Sequence, residues 1–497
     1  MTDTLDRAPC AGACLPGRFA TDFVGLDTRY ATRGAATRRV YLDSAATTLM
    51  MGTAQAFGRE FLVHQANPHT SAHFAAQVAS ESLAWAGDVV LDFLGAPRDE
   101  YVALFMGAGA TACANRLAFA LRRGRPQRPL ALVSAMEHHS NDLPHRAHGE
   151  VLHVGLEPTA QGPGAVSLHA LETLLRARPG EVNYVAVTAA SNVTGLVNPI
   201  HDIAELAHRH GALVVVDGAQ STAHAQMRLS GPDRARDIDA YFFSGHKVYA
   251  PGSPGVLVIK RALLHGVAPL ELGGGIVEDV TASSYRLLDS PAAQIAGTPN
   301  VLGAVTLAAA LEGLRQVGME AIVAHERALA QHMIARLSAI PGLEIYGPTD
   351  LDAHPRVGCI GFNLAHVEHA LAATLLNDEF NVAVRNGCFC AHPYARSLLG
   401  DAWQAFDTRG MDDLELERYV AVRRGMVRAS VGAYTTIADI DALADGLREI
   451  GERVDDLRRG YIVDATGARS RVARADMPNF QPALVLSTLL RDRGVLA

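Results

Sequence analysis

Short apolar runs alternate along this chain with stretches whose apolar residues recur every three or four positions. Tyr101-Val-Ala-Leu-Phe-Met106 and the segments 130–133, 184–187, 212–216, 240–243 and 256–259 are nearly unbroken apolar runs, the pattern of strands covered on both faces. Helical periodicity fills many of the gaps, for example over 75–94 and 200–209. This alternation predicts an α/β fold with a mainly parallel sheet. After Gly297-Thr-Pro299 the texture changes. Two long helical patterns, 301–317 and 321–337, lead into a strand at 358–364, a helix at 367–376, strands at 382–385 and 426–431, and a helix from about Ile437. That order reads as a smaller α+β domain. The expected organisation is an N-terminal segment 1–40 packing with the small domain, a large domain 41–300, a small domain 301–450 carrying Cys390, and a tail 451–497 with a helix at 483–493.

Composition narrows the class. The chain has 497 residues, 49% hydrophobic and 19% charged, with a net charge of −8. No basic block stands out, so a nucleic-acid partner is not expected. No uninterrupted apolar run reaches the roughly 18 residues that would suggest a membrane span. The acidic start lacks the apolar core of a secretory signal, so the expected compartment is the cytoplasm. Lys247 and Lys260 are the only lysines, and arginine supplies the rest of the 44 basic residues. Any lysine-based covalent chemistry therefore has two candidates. The six cysteines, at 10, 14, 113, 359, 388 and 390, do not suggest a disulfide framework. Cys10-x3-Cys14 has no second pair, and Cys388-x-Cys390-x-His392 has no fourth ligand, so no metal site is expected.

The residues that carry chemistry cluster after strands. Ser244-Gly-His-Lys247 places a lysine in a polar turn at a strand end, where its amine suits a Schiff base with a carbonyl cofactor; a plain surface lysine is the other reading. Asp217 closes the strand Val214-Val-Val, thirty positions earlier. A carboxylate buried there needs a cationic partner such as a protonated ring; otherwise it caps a helix. Gly107-Ala-Gly-Ala-Thr111 joins a strand to a helix, a geometry that offers N–H groups and a hydroxyl to a phosphate. Met136-Glu-His-His139 also follows a strand and offers an imidazole to stack on a ring.

From about Tyr41 to about Leu447 the sequence resembles the class V group of fold-type I pyridoxal-phosphate enzymes, in particular cysteine desulfurases of the NifS/SufS kind. The ordered elements are Tyr-Leu-Asp-Ser-Ala-Ala-Thr-Thr at 41–48, Asn67-Pro-His-x3-His73, Gly109-Ala-Thr111, Met136-Glu-His-His139, Ser191-Asn192-x2-Gly195, Asp217-Gly-Ala-Gln220, Ser244-Gly-His-Lys247, Ala296-Gly-Thr-Pro-Asn300, Arg385-Asn-Gly-Cys-Phe-Cys390 and Arg428-Ala-Ser430. The resemblance implies a large domain with a seven-stranded, mainly parallel sheet and a smaller α+β domain. It implies pyridoxal 5'-phosphate held by Lys247, with Asp217 on the pyridine nitrogen, Gln220 on the phenolate oxygen and His138 stacked on the ring, His139 being the alternative. Thr111, Ser244 and His246 would bind phosphate, with Thr298 reaching in from the second subunit of a homodimer. Asn192 would contact the cofactor and, with Arg428 and Arg385, bind the substrate, and His73 would line the entrance.

Cys390 falls at the position of the family's persulfide-forming nucleophile, five residues after Arg385. The resemblance therefore implies desulfuration of L-cysteine to L-alanine, with sulfur passed to an acceptor protein or thiol. If the segment is extended, alternation sends the Cys388 and Cys390 side chains to opposite sides. The alternatives on the same scaffold are a C–S β-lyase, selenocysteine lyase, epimerase or aminotransferase, none of which needs Cys390; a non-catalytic sulfur-transfer scaffold belongs to another class. Gly387-Cys-Phe-Cys390 and Asn67-Pro-His69 also resemble the amino-terminal part of molybdenum-cofactor sulfurases. Two features depart from the desulfurase pattern: Gly109-Ala-Thr-Ala112 stands where Gly-Thr-Thr-Glu is usual, and 401–424 reads as a helical insertion near the site.

Overall fold

The computed structural model describes residues 15, 17–33, 35–400, 410, 412, 415, 424–463, 469–471 and 480–493. Cys10, Cys14 and nearly all of the 401–424 insertion lie outside the described residues.

Seven strands form the main sheet: β1 (Tyr101–Met106), β2 (Leu130–Ser134), β3 (Glu150–Val154), β4 (Val182–Thr188), β5 (Leu213–Asp217), β6 (Ala240–Ser244) and β7 (Gly255–Lys260), in the order β1-β7-β6-β5-β4-β2-β3. Every neighbouring pair is parallel except the two made by β7. The expected α/β architecture and seven-stranded, mainly parallel sheet are thus present. Alternation within the apolar runs supplies both faces. Val214 and Val216 enter one core while Val215 enters the other. Helices α1 (Phe74–Phe93), α3 (Ile200–Arg209) and α4 (Val301–Val317) cover the first face, and α2 (Gly109–Gly124) covers the second. The sequence pattern misses β3, because Glu150 and His153 break the apolar run of this sheet-edge strand.

Gly318, at φ +93°, ends α4, and α5 (Met319–Ser338) leaves at 82°. A second, four-stranded sheet follows, from β8 (Leu343–Ile345), β9 (Cys359–Leu364), β10 (Arg385–Gly387) and β11 (Met426–Ser430), ordered β8-β9-β11-β10. With α5, α6 (His369–Phe380) and α8 (Ile437–Arg458, with α7 being His392–Leu399) it closes a core that also takes in Val40 and Leu42. A capping box between Thr436 and Asp439 starts α8. The single strand expected at 382–385 is two pieces. Val382–Ala383 pairs with Val40–Tyr41, while Arg385–Gly387 pairs with β11. Helix α9 (Pro482–Asp492) leaves Leu484, Leu486 and Leu489 exposed. No single helix among the described residues is long and apolar enough to cross a membrane.

The first residue of β7 presses on the turn that opens α2. A Cβ added to Gly255 would lie 2.2 Å from the Gly109 carbonyl oxygen, a backbone atom that cannot swing away. Gly255→Ala is therefore expected to cost about 1–3 kcal/mol of stability through forced backbone shifts, read as a lower urea midpoint with an unchanged slope.

Candidate active site

Three parallel strands deliver their last residues to one edge of the main sheet. β5 ends in Asp217, only 4% exposed, whose carboxylate accepts the Ala219 N–H at 2.8 Å. β6 runs beside it in register and leads through Ser244 into the short helical turn Gly245–Lys247. Burial pulls the Lys247 ammonium down to about 8, with the Asp217 carboxylate opposing that pull. Burial likewise pushes the Asp217 carboxyl up to about 6, opposed by the Ala219 N–H and by Lys247. Each group is the other's counter-charge in a desolvated cleft. Lys260, by contrast, sits at the opposite end of its strand and pairs with Asp239 at 2.8 Å.

β2 supplies the next element. Its continuation carries His138, whose Nδ1 accepts the Ser140 N–H at 3.0 Å, leaving the ring proton on Nε2. Burial, then the charges of Lys247 and His139, hold this imidazole down to about 3, so it is a flat, neutral ring. Beneath it Glu137 is buried and accepts from the Ser134 hydroxyl, from Asn141 Nδ2 at 2.7 Å and from the Thr188 N–H at 2.7 Å. This buried carboxyl therefore fixes the His138 turn to the end of β4. At the start of α2, Ser244 Oγ accepts the Ala110 N–H at 2.8 Å, while exposed Thr111 meets Ser140 Oγ at 2.7 Å. Burial keeps His246 down at about 4, and its Nδ1 lies 3.2 Å from Thr47 Oγ1.

The 41–48 segment staples these loops to the second sheet. Gln220 donates to the Ala45 carbonyl at 2.8 Å, Tyr249 N–H donates to Thr48 Oγ1 at 2.8 Å, and Ala45 N–H donates to Ser430 Oγ at 2.9 Å. Arg428, 3% exposed on β11, donates to the Asn192 carbonyl at 2.9 Å and to Asp43 at 3.1 Å. Its Nε has no partner. Arg385 faces Arg428 directly across the β10–β11 ladder. Two like charges at opposed positions call for an anion between them; Asp43 supplies one and bears on both arginines.

Cys388 and Cys390 lie on a turn, not on the extended strand the alternation argument assumed. The Ala391 N–H closes it on the Cys388 carbonyl at 2.9 Å, and Phe389 and Cys390 both take φ of +53°. That left-handed geometry costs about 1–2 kcal/mol for each L side chain and is usually given to Asn-Gly. Contacts from outside hold it. Asn192 Nδ2 donates to the Phe389 carbonyl at 2.8 Å, His139 N–H donates to the Cys390 carbonyl at 2.7 Å, and Phe389 stacks on the Arg428 guanidinium at 4.7 Å. Cys390 is exposed and bears electrostatically on Lys247. Cys388 is buried, donates to the Arg424 carbonyl at 3.0 Å, and burial pushes its thiol up to about 11.

The fold thus brings Thr111, His138, Asn192, Asp217, Gln220, Ser244, His246, Lys247, Arg385, Cys390 and Arg428 to one edge of the main sheet and the part of the second sheet that adjoins it. Thr298 and His73 belong elsewhere among the described contacts. Exposed Thr298 accepts from Asn67 at 3.3 Å, and His73 caps α1 by accepting the Ala76 N–H at 3.2 Å. Asp43, Glu137 and Phe389 received no role from the sequence, although each stands inside a quoted motif. The donor set fits pyridoxal phosphate. Buried Asp217 has one hydrogen-bond donor and could pair with a ring nitrogen, burial pulls the Lys247 amine down toward its nucleophilic form, neutral His138 is flat, and the helix start beside Thr111 is exposed.

The aminotransferase class-V family profile matches residues 40–443. A probable cysteine desulfurase of Halalkalibacterium halodurans is 32% identical over 416 residues, covering 83% of this chain and 93% of the relative. One from Vibrio cholerae is 33% identical over 411 residues, covering 81% and 91%. Among solved structures, the apo cysteine desulfurase of Thermococcus onnurineus superposes with a TM-score of 0.73 at 25% identity, covering 88% of this chain and 98% of that one. The Escherichia coli cysteine desulfurase CsdA, in an S-sulfonic acid form, gives 0.69 at 28%, again covering 88% and 98%.

With two lysines, reductive ¹³C-methylation of the cofactor-free protein offers a direct check on the central pair. The Lys247 resonance is expected to titrate near pH 8, as burial sets it. Asp217→Asn removes the anion that favours the ammonium, so the midpoint moves down; an unchanged or higher midpoint would show that the two groups do not interact.

Proposed function

The chain belongs to the aminotransferase class-V family, and from that premise we infer that it is a cysteine desulfurase that uses pyridoxal phosphate, takes L-cysteine to L-alanine and carries the sulfur on Cys390. The observation that carries this reading is Cys390, exposed on a strained turn, within electrostatic reach of Lys247, which Arg428 also reaches. Bound there, the cofactor supplies an electron-poor ring that makes the substrate's α proton acidic.

This chain's residues divide the remaining work. Lys247 holds the cofactor and moves the proton between the substrate's α carbon and its own Nζ. Asp217 would keep a positive charge on the ring nitrogen, Gln220 would hold the phenolate oxygen, and neutral His138 would cover the ring. Thr111, Ser244 and His246 receive the phosphate. Arg428 and Asn192 take the substrate's carboxylate, with Arg385 adding charge and His73 at the entrance. The Cys390 thiolate attacks the substrate's sulfur. An S–S bond forms, the C–S bond breaks, and its electron pair stays with the carbon that becomes the methyl of alanine once protonated. A thiol or acceptor protein then takes the outer sulfur. Buried, hydrogen-bonded Cys388 keeps its proton and takes no part. A reducing, cytoplasmic setting suits a carrier that must stay a free thiol.

The protein works as a homodimer in this reading, with Thr298 completing the phosphate site of the second copy. Its exposure, and that of nearby Leu272, Val280 and Tyr285 on the 270–299 segment, supports this. Sedimentation of the cofactor-loaded protein should give a dimer; a monomer with full turnover contradicts it.

An assay for alanine and sulfide from L-cysteine, with a reductant present, tests the reaction itself. Cys390→Ser should retain the cofactor's colour yet lose sulfide release by about two orders of magnitude or more, as when a nucleophile is removed. Cys388→Ser should stay within about threefold of the parent, since no reacting atom is touched. Full turnover by Cys390→Ser would replace the desulfurase with a β-lyase.

A further inference from the structure

Phe389 sits where it has no business as a mere spacer between two cysteines. It adopts a left-handed backbone, its carbonyl takes the Asn192 amide at 2.8 Å, and its ring covers the Arg428 guanidinium at 4.7 Å. Asn192 and Arg428 are also the two groups assigned above to the substrate's carboxylate. We propose that Phe389 is a positioning residue that latches the Cys390 turn onto Asn192 and Arg428, and that a substrate α-carboxylate arriving at these two groups releases it. The proposal rests on the desulfurase reading and adds to it a coupling between substrate recognition and the freedom of the sulfur carrier.

The chemistry of the contacts sets the coupling. Asn192 Nδ2 donates to a carbonyl oxygen, and a carboxylate oxygen is the stronger acceptor for the same N–H. The Arg428 Nε edge is unpartnered and buried, so it gains a charged hydrogen bond only when an anion arrives. Arg428 already pairs with Asp43, and a second anion further cancels the field that draws the face of the Phe389 ring. Both outside supports of residue 389 weaken together. The turn, held against its own backbone preference, relaxes, because positive φ is not where Phe or Cys settles unaided. The remaining tie, from the His139 N–H to the Cys390 carbonyl at 2.7 Å, becomes the hinge about which the thiol moves. Without a carboxylate in place, the turn that carries the exposed Cys390 thiol stays latched; an amine lacking that group does not free it.

The test reads thiol access in the cofactor-loaded protein. Cys390 is alkylated with iodoacetamide and quantified by peptide mass mapping, with buried Cys359 and Cys388 as internal controls. L-Alanine has the substrate's amine and carboxylate but no sulfur; ethylamine has the amine alone. Saturating L-alanine is expected to speed alkylation of Cys390 by about tenfold, the scale of losing one hydrogen bond and one ring contact, and ethylamine to leave it unchanged. Phe389→Ala should alkylate at the fast rate without any ligand, with a lower KM for L-cysteine and a lower kcat. Phe389→Tyr, which keeps the ring, should behave as the parent. Equal effects of L-alanine and ethylamine, no effect of L-alanine, or parental alkylation in Phe389→Ala would each overturn the latch. Should Phe389→Ala fail to fold, the L-alanine and ethylamine comparison in the parent decides alone. Failure of the desulfurase reading shows separately, as no alanine or sulfide from L-cysteine, whatever the alkylation rates.

Discussion

The structure depends on keeping one carboxylate and one amine out of water beside each other. Asp217 and Lys247 leave adjacent parallel strands at the same edge, and both are pushed toward neutrality by burial while each resists through the other. A folded chain gains nothing from such a pair for its own sake, since desolvation offsets most of the attraction. In the proposed function, Asp217 would meet a cationic cofactor ring and Lys247 the cofactor's carbonyl. The seven-stranded sheet, covered on both faces, is what fixes the two strand ends in register.

The 41–48 segment makes that edge into a closed site. Its backbone and hydroxyls hold Gln220, the 246–249 turn and Ser430, and its Asp43 pairs with Arg428. The Asp217–Lys247 edge of the large sheet and Arg428 of the small sheet therefore share one strip of chain. A shift of that strip moves both halves of the site together.

Much of this was legible before the structure. Strands buried on both faces announce themselves as apolar runs, and Lys247 stands out because lysine is so scarce. Edge strand β3 did not, since exposed Glu150 and His153 interrupt its apolar run. The split at Val384 was hidden because Val382 and Arg385 bond to different partners, which periodicity cannot reveal. The left-handed turn at Phe389 and Cys390 was unreadable for a related reason. Neither residue favours it, and what holds it there comes from Asn192 and Arg428, distant in sequence. Asp43 likewise lies 385 positions from the arginine it binds. Positions stabilised by local propensity could be read from the sequence, and positions imposed by long-range contacts could not.

The central claim is that sulfur travels by way of Cys390 and no other thiol. The most direct measurement is peptide mass mapping of the cofactor-loaded protein after brief exposure to L-cysteine and trapping of persulfides by alkylation. The account predicts one extra sulfur atom on the peptide containing Cys390, localised to that residue by fragmentation and removed by a reductant. An extra sulfur on Cys388, Cys359 or Cys113, or sulfide release with no protein-bound sulfur at any time, would contradict it.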